Sequence, residues 1–469
     1  MLTYDLDKRG STPLYDYLYQ CIRQDIISGR LQAGERLPSK RTLAHHLSVG
    51  IITVANAYAQ LAVEGYITSR EKKGYFVEDV SSYRVRRKAA AAMQPEAAER
   101  EYFADFKANR ISLQNFPLAT WTRLMRETLS VHNEELLKTV PYKGVYELRK
   151  AIADYLAHNR AMQVDPSQII IGAGTEYLYG RLLQMFGHAC TFAIEEPGYQ
   201  KFASISASFG NPWKYIPIDD NGLMIDKLEE SGADVVHLSP ANHFPTGIVM
   251  PVTRRLELFE WVNRIRKRYI IEDDYDSEFR YTGRFILPLY AQDTQSRVIY
   301  MNTFSKSLVP SLRISYMVLP PRLLERYEQT MSFYSCTVSS FEQYTLARFI
   351  SEGYFERHIN KMKNYYREQR HKILAAIHAS PLAAVSQITE RNAGTHFVLH
   401  INTKLTEAEV RKAALAADMS LSFYSDYSHN TEENNGCTLV INYAAIEADK
   451  IAAVIERLSS LFPECNQIS

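Results

Sequence analysis

The sequence contains no run of about 18 apolar residues, the length from which a membrane-spanning helix is inferred. Residues 1–7 lack the apolar core of a signal peptide. The 469 residues include only five cysteines, which are scattered and form no CxxC pair. We therefore expect a cytoplasmic protein with reduced thiols, without a metal site and without a membrane partner.

Neither sign of charge is in excess, because 54 Lys and Arg residues face 53 Asp and Glu residues. The overall charge therefore argues neither for nor against binding to nucleic acid. No internal repeat is present. The length predicts two or three domains, one of them large, and the 46% of hydrophobic residues is ordinary for a globular protein.

Apolar periodicity and turn signals divide the first 80 residues into five elements. The predicted elements are helices at 14–28, 40–47 and 52–64 and strands at 66–69 and 74–77. This order is typical of a winged helix-turn-helix. In such a domain the third helix enters the major groove of DNA, and the tip of the hairpin reaches a neighbouring minor groove.

Positive charges in this region cluster where a docked duplex would touch the domain, although the region as a whole is not basic. Such contacts position a protein through phosphates, while base reading belongs to the third helix. The candidate DNA-binding residues are Arg36, Ser39, Lys40, Arg41, Arg70, Lys72 and Lys73, with Thr53 and Asn56 on the third helix. The alternative is a small helical module that binds protein.

Residues 81–100 lack the periodicity of a packed element and include a basic start and an alanine-rich run. We interpret them as a linker between a DNA-binding domain at 1–80 and a second domain at 101–469. A solvated helix is an equally good interpretation.

From about residue 101, short apolar runs alternate with helical patterns, such as the helix predicted at 254–268. Buried strands are predicted at 169–171, 192–194, 235–238, 269–271 and 298–301. This alternation indicates an α/β fold with a mostly parallel sheet. In such sheets, ligands bind beyond the carboxyl ends of the strands, where this sequence places its polar loops.

One of these loops holds Lys306 among small hydroxyl residues, seven positions before Arg313. A lysine that condenses with an aldehyde must lose its proton, and a nearby fixed cation favours that loss. Thr303, Ser305 and Arg313 could together hold a phosphate. A Schiff-base lysine beside a phosphate clamp meets the needs of pyridoxal 5′-phosphate (PLP). A surface Ser-Lys loop is the alternative.

Three other loops support a PLP site. Gly174, Thr175 and Glu176 open a helix whose backbone N–H groups can bind an anion. Tyr199 follows a strand on a tight turn, which places an aromatic ring near the same edge. Asp273 ends another strand, and a buried aspartate facing a pyridine nitrogen keeps that nitrogen protonated.

The first 80 residues resemble the GntR-type winged-helix domain, on the residues at 37–44, 53–58 and 61–67. The rest resembles a fold-type I aminotransferase, on the motifs at 196–199, 244–247, 271–281, 303–308 and 393–396 together with Arg313. As a whole the chain resembles the MocR/GabR family of regulators. This resemblance implies a smaller C-terminal α+β subdomain from about residue 330 and a head-to-tail homodimer.

The resemblance also implies individual roles. Lys306 would form the Schiff base with PLP, Asp273 would face the ring nitrogen, and Tyr275 would lie near the ring hydroxyl. Tyr199 would stack on the ring. The phosphate would be held by Gly174, Thr175, Glu176, Thr303 and Arg313, with Ser305 beside them. Either Asn242 or His243 would reach the ring hydroxyl from elsewhere, or no residue does.

Four departures from the family pattern bear on function. Gly50 and Ile51 stand where Ser-Arg is usual in the DNA-binding turn, and Phe244 stands where aminotransferases have asparagine. Val440 occupies the place of the arginine that clamps a substrate's α-carboxylate. The tyrosine expected from the partner chain is displaced, to Tyr142.

The sequence therefore favours a PLP-dependent regulator that binds double-stranded operator DNA and responds to an effector, either an amine or PLP itself. One alternative is a working aminotransferase, against which the missing carboxylate clamp argues. The other is a DNA-binding protein whose large domain only dimerises. The sequence leaves open the effector, the operator and the direction of regulation.

Overall fold

The computed structural model describes residues 2–80, 101–107, 115–131, 134–281, 286–391, 393–429 and 436–467. The predicted linker at 81–100 lies outside these residues. The chain divides into two compact units, Met1–Glu99 and Arg100–Ser469. We call the described part of the first the winged unit and that of the second the large unit.

The winged unit contains the predicted elements in the predicted order. They are α1 (Leu14–Ser28), α2 (Lys40–His46), α3 (Ile51–Val63), β1 (Ile67–Arg70) and β2 (Gly74–Val77). Each prediction is confirmed to within one residue at either end. The side chain of Ser39 accepts a hydrogen bond from the Thr42 N–H and so caps α2. The two strands pair antiparallel, with Arg70 opposite Gly74 at the tip of the hairpin.

The core of the winged unit is formed by one apolar face from each helix and by the base of the hairpin. Its members include Leu18, Ile22, Leu43, Val54, Tyr58, Leu61, Ile67 and Val77. The hydroxyl of Tyr58 donates to the Pro38 carbonyl at 3.0 Å, which satisfies the one polar atom of this buried ring.

The large unit alternates strands and helices through most of its length. Its strands are β3 (Ala104–Asp105), β4 (Ile169–Gly172), β5 (Phe192–Glu196), β6 (Trp213–Asp219), β7 (Gly222–Leu223), β8 (Val235–Leu238), β9 (Tyr269–Asp273), β10 (Val298–Thr303), β11 (Ser315–Val318), β12 (Ser386–Thr389), β13 (His396–Ile401), β14 (Met419–Ser420) and β15 (Cys437–Asn442). Its helices are α4 (Leu118–Val131), α5 (Tyr146–Arg160), α6 (Thr175–Phe186), α7 (Lys201–Phe209), α8 (Ile225–Ser231), α9 (Val252–Arg264), α10 (Leu289–Gln292), α11 (Phe304–Ser307), α12 (Pro321–Met331), α13 (Ser340–Ser351), α14 (Tyr354–His378), α15 (Leu382–Val385), α16 (Glu407–Ala416) and α17 (Ile451–Ser460).

Eight strands form the main sheet, in the order β4-β11-β10-β9-β8-β5-β6-β7. The strands β10, β9, β8, β5 and β6 run parallel to one another, and β11 pairs antiparallel with both β4 and β10. The five predicted strands are confirmed as β4, β5, β8, β9 and β10, and the mostly parallel α/β sheet is confirmed with them.

The C-terminal part of the large unit is a smaller α+β region, as the resemblance implies. Its sheet has three antiparallel strands in the order β12-β13-β15, with His396 opposite Asn442. The long helix α14 and the last helix α17 contribute buried residues such as Ile373 and Val454 to the core cluster that includes this sheet.

One helix ends earlier than expected. The helix predicted at 254–268 is observed as α9 (Val252–Arg264). Past its end, the buried guanidinium of Arg268 donates to the Trp261 carbonyl at 3.0 Å and to Glu229. The predicted end was wrong, and the bond of Arg268 to Glu229, 39 residues away, leaves no signal in the local sequence pattern. None of the described helices combines the length and apolar character needed to cross a bilayer.

The core of the winged unit can be tested apart from the large unit, because all three tryptophans lie beyond residue 100. Replacing the fully buried Leu61 by alanine leaves a cavity, and we expect the winged unit to lose about 2–5 kcal/mol of unfolding free energy. Urea unfolding followed by far-UV circular dichroism should show this loss. The urea transition followed by tryptophan fluorescence, which reports the large unit, should not shift. Val63→Ala, on the same helix at an 84% exposed residue, is the control. Equal effects of the two changes would contradict the assigned core.

Candidate functional site

The carboxyl ends of the parallel strands open into a cleft of about 490 Å³ in the large unit. Nine of the predicted cofactor residues line this cleft: Thr175, Glu176, Tyr199, Asp273, Tyr275, Thr303, Ser305, Lys306 and Arg313. Gly174 lies beside them, and a Cβ at this position would come within 2.4 Å of Arg313 Nη2. With its φ of +100°, this position requires glycine.

One end of the cleft is suited to an anion. The helix α6 begins here, and Arg313 Nη2 and Lys201 Nζ lie 3.5 Å and 3.0 Å from the carboxylate of Glu176. Thr303 Oγ1 accepts hydrogen bonds from the Ser305 N–H and the Ser315 hydroxyl. A helix N-terminus, hydroxyl groups and two cations, both paired with Glu176, are groups that could bind a phosphate.

Arg313 reaches this end because of the direction of one strand. It lies two residues before β11, which runs antiparallel to its neighbours, so the amino end of β11 lies at the carboxyl ends of β4 and β10. The register confirms this, because Ser315 pairs with both Gly172 and Thr303. The antiparallel strand therefore brings the guanidinium to the start of α6.

The back of the cleft holds a buried carboxyl group. Asp273 Oδ1 has no hydrogen-bond partner among the described residues, and Oδ2 lies 3.7 Å from His237 Nε2. Burial raises the pKa of Asp273 to about 7 and lowers the pKa of His237 to about 3. His237 is therefore neutral, and a ligand cation at Oδ1 would stabilise the Asp273 carboxylate.

Lys306 lies on α11 and lines the cleft together with two buried groups that were not predicted, Asp276 and His396. Burial raises the pKa of the Asp276 carboxyl, and the charge of Lys306 opposes that rise. Burial lowers the pKa of His396 to about 4, and Lys306 adds to that effect. The hydroxyl of Thr395 donates to Asp276 Oδ2 at 3.0 Å. Both motifs were noted in the sequence, but only the fold shows that these residues face Lys306.

A second pair consists of Glu195, which lines the cleft and was not predicted, and His243, which the sequence offered as an alternative to Asn242. Glu195 Oε2 accepts the Ser239 N–H at 2.9 Å and is 3.7 Å from His243 Nε2. Burial raises the pKa of Glu195 to about 8 and lowers the pKa of His243 to about 3. Near neutral pH the carboxyl group is therefore largely protonated and the imidazole is neutral.

Asn242 does not join the other predicted residues. Its amide lies against Gly394 and Gly247, and its side-chain atoms have no hydrogen-bond partner among the described residues. It lines a separate small cavity beside Arg160. The expectation that Asn242 reaches the cofactor is corrected, because Phe244 takes the position facing the cleft. The ring of Phe244 packs against His396 and Tyr427, at 4.9 Å and 4.7 Å between ring centroids.

The remaining wall of the cleft includes Val440, Phe106 and Tyr427. Lys107 also lies in this wall, but its Nζ is 3.4 Å from Asp426 Oδ2. Among the described residues lining the cleft, no arginine other than Arg313 is present. Tyr142 is stacked on Tyr327 and does not line the cleft.

The predicted DNA-binding residues of the winged unit lie on α2 and in the segment before it, on α3 and on the hairpin. Most are exposed: Arg36, Ser39, Arg41, Asn56, Arg70, Lys72 and Lys73. Lys40 and Thr53 are half-buried, and Lys40 Nζ lies 5.1 Å from the centre of the Tyr75 ring. The hydroxyl of Ser39 is already used as the cap of α2.

Comparison with known proteins assigns a family to each unit. Residues 14–77 match the family described as bacterial regulatory proteins, gntR family, and residues 104–458 match aminotransferase class I and II.

Two relatives are similar over nearly the whole chain. The uncharacterized HTH-type transcriptional regulator YdeL of Bacillus subtilis (strain 168) is 36% identical over 98% of this chain and 99% of its own. The probable rhizopine catabolism regulatory protein MocR of Rhizobium meliloti is 30% identical over 97% of this chain and 95% of its own. Regulators of this kind therefore share both units with this chain.

The multiple substrate aminotransferase of Thermococcus profundus is a solved structure with the same fold. It matches with a TM-score of 0.69 and 22% identity, covering 83% of this chain and all of its own. At that identity the likeness establishes the fold alone, and it confirms the fold-type I architecture of the large unit.

The buried acids make the stability of the large unit depend on pH. Glu195 binds its proton more tightly when folded, with a pKa of about 8 against an ordinary 4.5, so its contribution to stability is lost as pH rises between these values. Asp273 acts in the same direction. We expect the unfolding free energy of the PLP-free protein, followed by tryptophan fluorescence, to fall by at most about 1.4 kcal/mol per pH unit for each group.

Glu195→Gln keeps an acceptor for the Ser239 N–H but cannot ionise. In this variant the unfolding free energy should therefore fall less steeply as the pH rises. Glu325→Gln, at an exposed carboxylate, should leave the fall unchanged. An unaltered pH dependence in Glu195→Gln would contradict the position assigned to that carboxyl group.

Proposed function

We propose that this chain, which belongs to the MocR family of GntR-type transcriptional regulators, binds operator DNA with an affinity set by the occupant of its aminotransferase-like cleft. That occupant is PLP, alone or joined to a small amine. The observation that carries the proposal is the meeting of Lys306, Asp273 and Arg313 in one cleft of a chain that also has a winged helix-turn-helix.

PLP is the cofactor of the aminotransferase class I and II family, and the cleft fits it. Five buried polar atoms of side chains lining the cleft have no partner among the described residues, and three of them are Asp273 Oδ1, Tyr275 Oη and Ser305 Oγ. PLP carries a ring nitrogen, a ring hydroxyl and a phosphate, which are the groups these atoms need. Bound PLP supplies an aldehyde that condenses with primary amines.

Each residue of the cleft then has a defined task. Arg313, Thr303 and the first N–H groups of α6 bind the phosphate, and Glu176 holds the Arg313 guanidinium in place. Asp273 keeps a proton on the ring nitrogen, because no cation of the described residues bonds to Oδ1 of its buried carboxylate. Lys306 provides the amine that anchors the cofactor.

The effector is an amine without an α-carboxylate, or PLP itself. An α-carboxylate needs a cation in the wall that Val440 and Phe106 help to form, and a valine cannot supply one. Lys107 is paired with Asp426 and so is partly neutralised. The cleft therefore favours an amine with an apolar body.

The signal reaches DNA only if the two functional states of the protein bind the ligand differently. We propose a head-to-tail homodimer as the unit that changes state. Several large apolar side chains of the large unit are exposed and suit such an interface, among them Leu118 at 64%, Val131 at 68% and Leu137 at 86%. Reading operator DNA places this dimer in the cytoplasm.

The role of Lys306 can be tested by spectroscopy. We expect the protein mixed with PLP to gain the visible absorbance band of a Schiff base, and Lys306→Ala to lack it. The matched control is Lys107→Ala, since Lys107 also lines the cleft but is paired with Asp426 and has no role in binding PLP. Persistence of the band in Lys306→Ala would refute the assignment.

The rate at which the protein converts α-amino acids to keto acids tests the proposed absence of a carboxylate clamp. Because α-amino acids are not held for proton removal at Cα, we expect common ones to give at most slow formation of keto acid. The measurement is steady-state keto-acid production by the PLP-loaded protein. Sustained production at rates on the order of 1–10 per second would instead indicate a working aminotransferase.

A further inference from the structure

Two isoleucines are exposed at the beginning of α3. The side chain of Ile51 is 51% exposed and that of Ile52 is 76% exposed, and neither belongs to the core of the winged unit. Of the four large apolar residues exposed in the described residues 2–80, Ile51, Ile52 and Val63 all lie on α3. Exposed isoleucines gain nothing for folding, so their position needs another explanation.

The helix that carries them has no charged residue. From Ile51 to Val63 there is no lysine or arginine, the side chains that most often read guanine. The exposed polar residue nearest to Ile52 on the same face is Asn56, one helical turn later. An amide of this kind forms paired hydrogen bonds with adenine, while an apolar side chain contacts the methyl group of thymine.

Exposed positive charges lie on α2 and on the hairpin, and both of these contact the uncharged helix. Arg41 on α2 and Lys72 and Lys73 at the tip of the hairpin are exposed, and none of them forms an ion pair with another described residue. These cations suit the phosphate backbone on either side of a groove. An apolar helix face that packs beside two elements carrying exposed cations suits DNA, in which the bases of the major groove are flanked by phosphates.

We propose that α3 reads A·T base pairs, with Ile52, supported by Ile51, contacting thymine methyl groups and Asn56 contacting adenine. This inference rests on the proposed function, because it assumes that the winged unit binds operator DNA. It adds a base preference and the side chains that produce it. Packing of the two isoleucines against another surface of the protein is the competing outcome.

The test uses the full chain and a duplex enriched by that chain from a random DNA library. Replacing thymine by uracil in one half-site removes the methyl groups and leaves base pairing intact. We expect the affinity to fall about four-fold for each methyl group that is contacted. The Ile52→Ala variant should bind the thymine duplex more weakly than the unsubstituted protein does. It should bind the thymine and uracil duplexes with equal affinity. Thermal unfolding should be unchanged, because Ile52 is exposed.

Val63→Ala, about 16 Å along the same helix, is the control and should keep the full difference between the two duplexes. If Ile52→Ala keeps that difference, or if the unsubstituted protein does not distinguish thymine from uracil, the inference is wrong while DNA binding stands. If no duplex is enriched and bound, the proposed regulatory function itself fails.

Discussion

Parallel strands end at the same edge of a sheet, and this constraint gathers side chains from distant segments into one cleft. Asp273 ends β9, Lys306 follows β10, and α6 begins after β4. The exception to the rule is equally important, because β11 runs in the opposite direction and carries Arg313 to the same edge at its amino end. Without that inserted antiparallel strand, the cleft would hold a lysine and an acid but no guanidinium for a phosphate.

The same constraint concentrates acids in a dry environment. Burial raises the pKa of Asp273 to about 7 and that of Glu195 to about 8, and it also raises the pKa of Asp276. A protein does not keep such groups for stability, since each destabilises the fold as it ionises. A protonated ring and an amine are the partners that relieve this cost, which explains why the cleft suits PLP and an amine.

Local patterns predicted what depends on local sequence. Helix α1 was predicted with both ends correct because its apolar residues recur at helical spacing and Gly29 ends it. The buried strands were predicted from short runs of β-branched residues. Three other features depend on contacts across thirty or more residues. They are the position of Arg268 outside α9, the proximity of Asp276 to Lys306 and the turning of Asn242 out of the cleft. Spacing in the sequence carries no signal of such contacts.

The central claim is that the cleft and the DNA-binding surface share one equilibrium. It is tested most directly by measuring the affinity of the full chain for its enriched duplex with and without PLP, and the affinity for PLP with and without that duplex. One ratio compares the DNA affinities with and without PLP, and the other compares the PLP affinities with and without DNA. Linkage requires these two ratios to be equal, and we expect them to differ from one. The same DNA affinity in the PLP-loaded and PLP-free protein would contradict it.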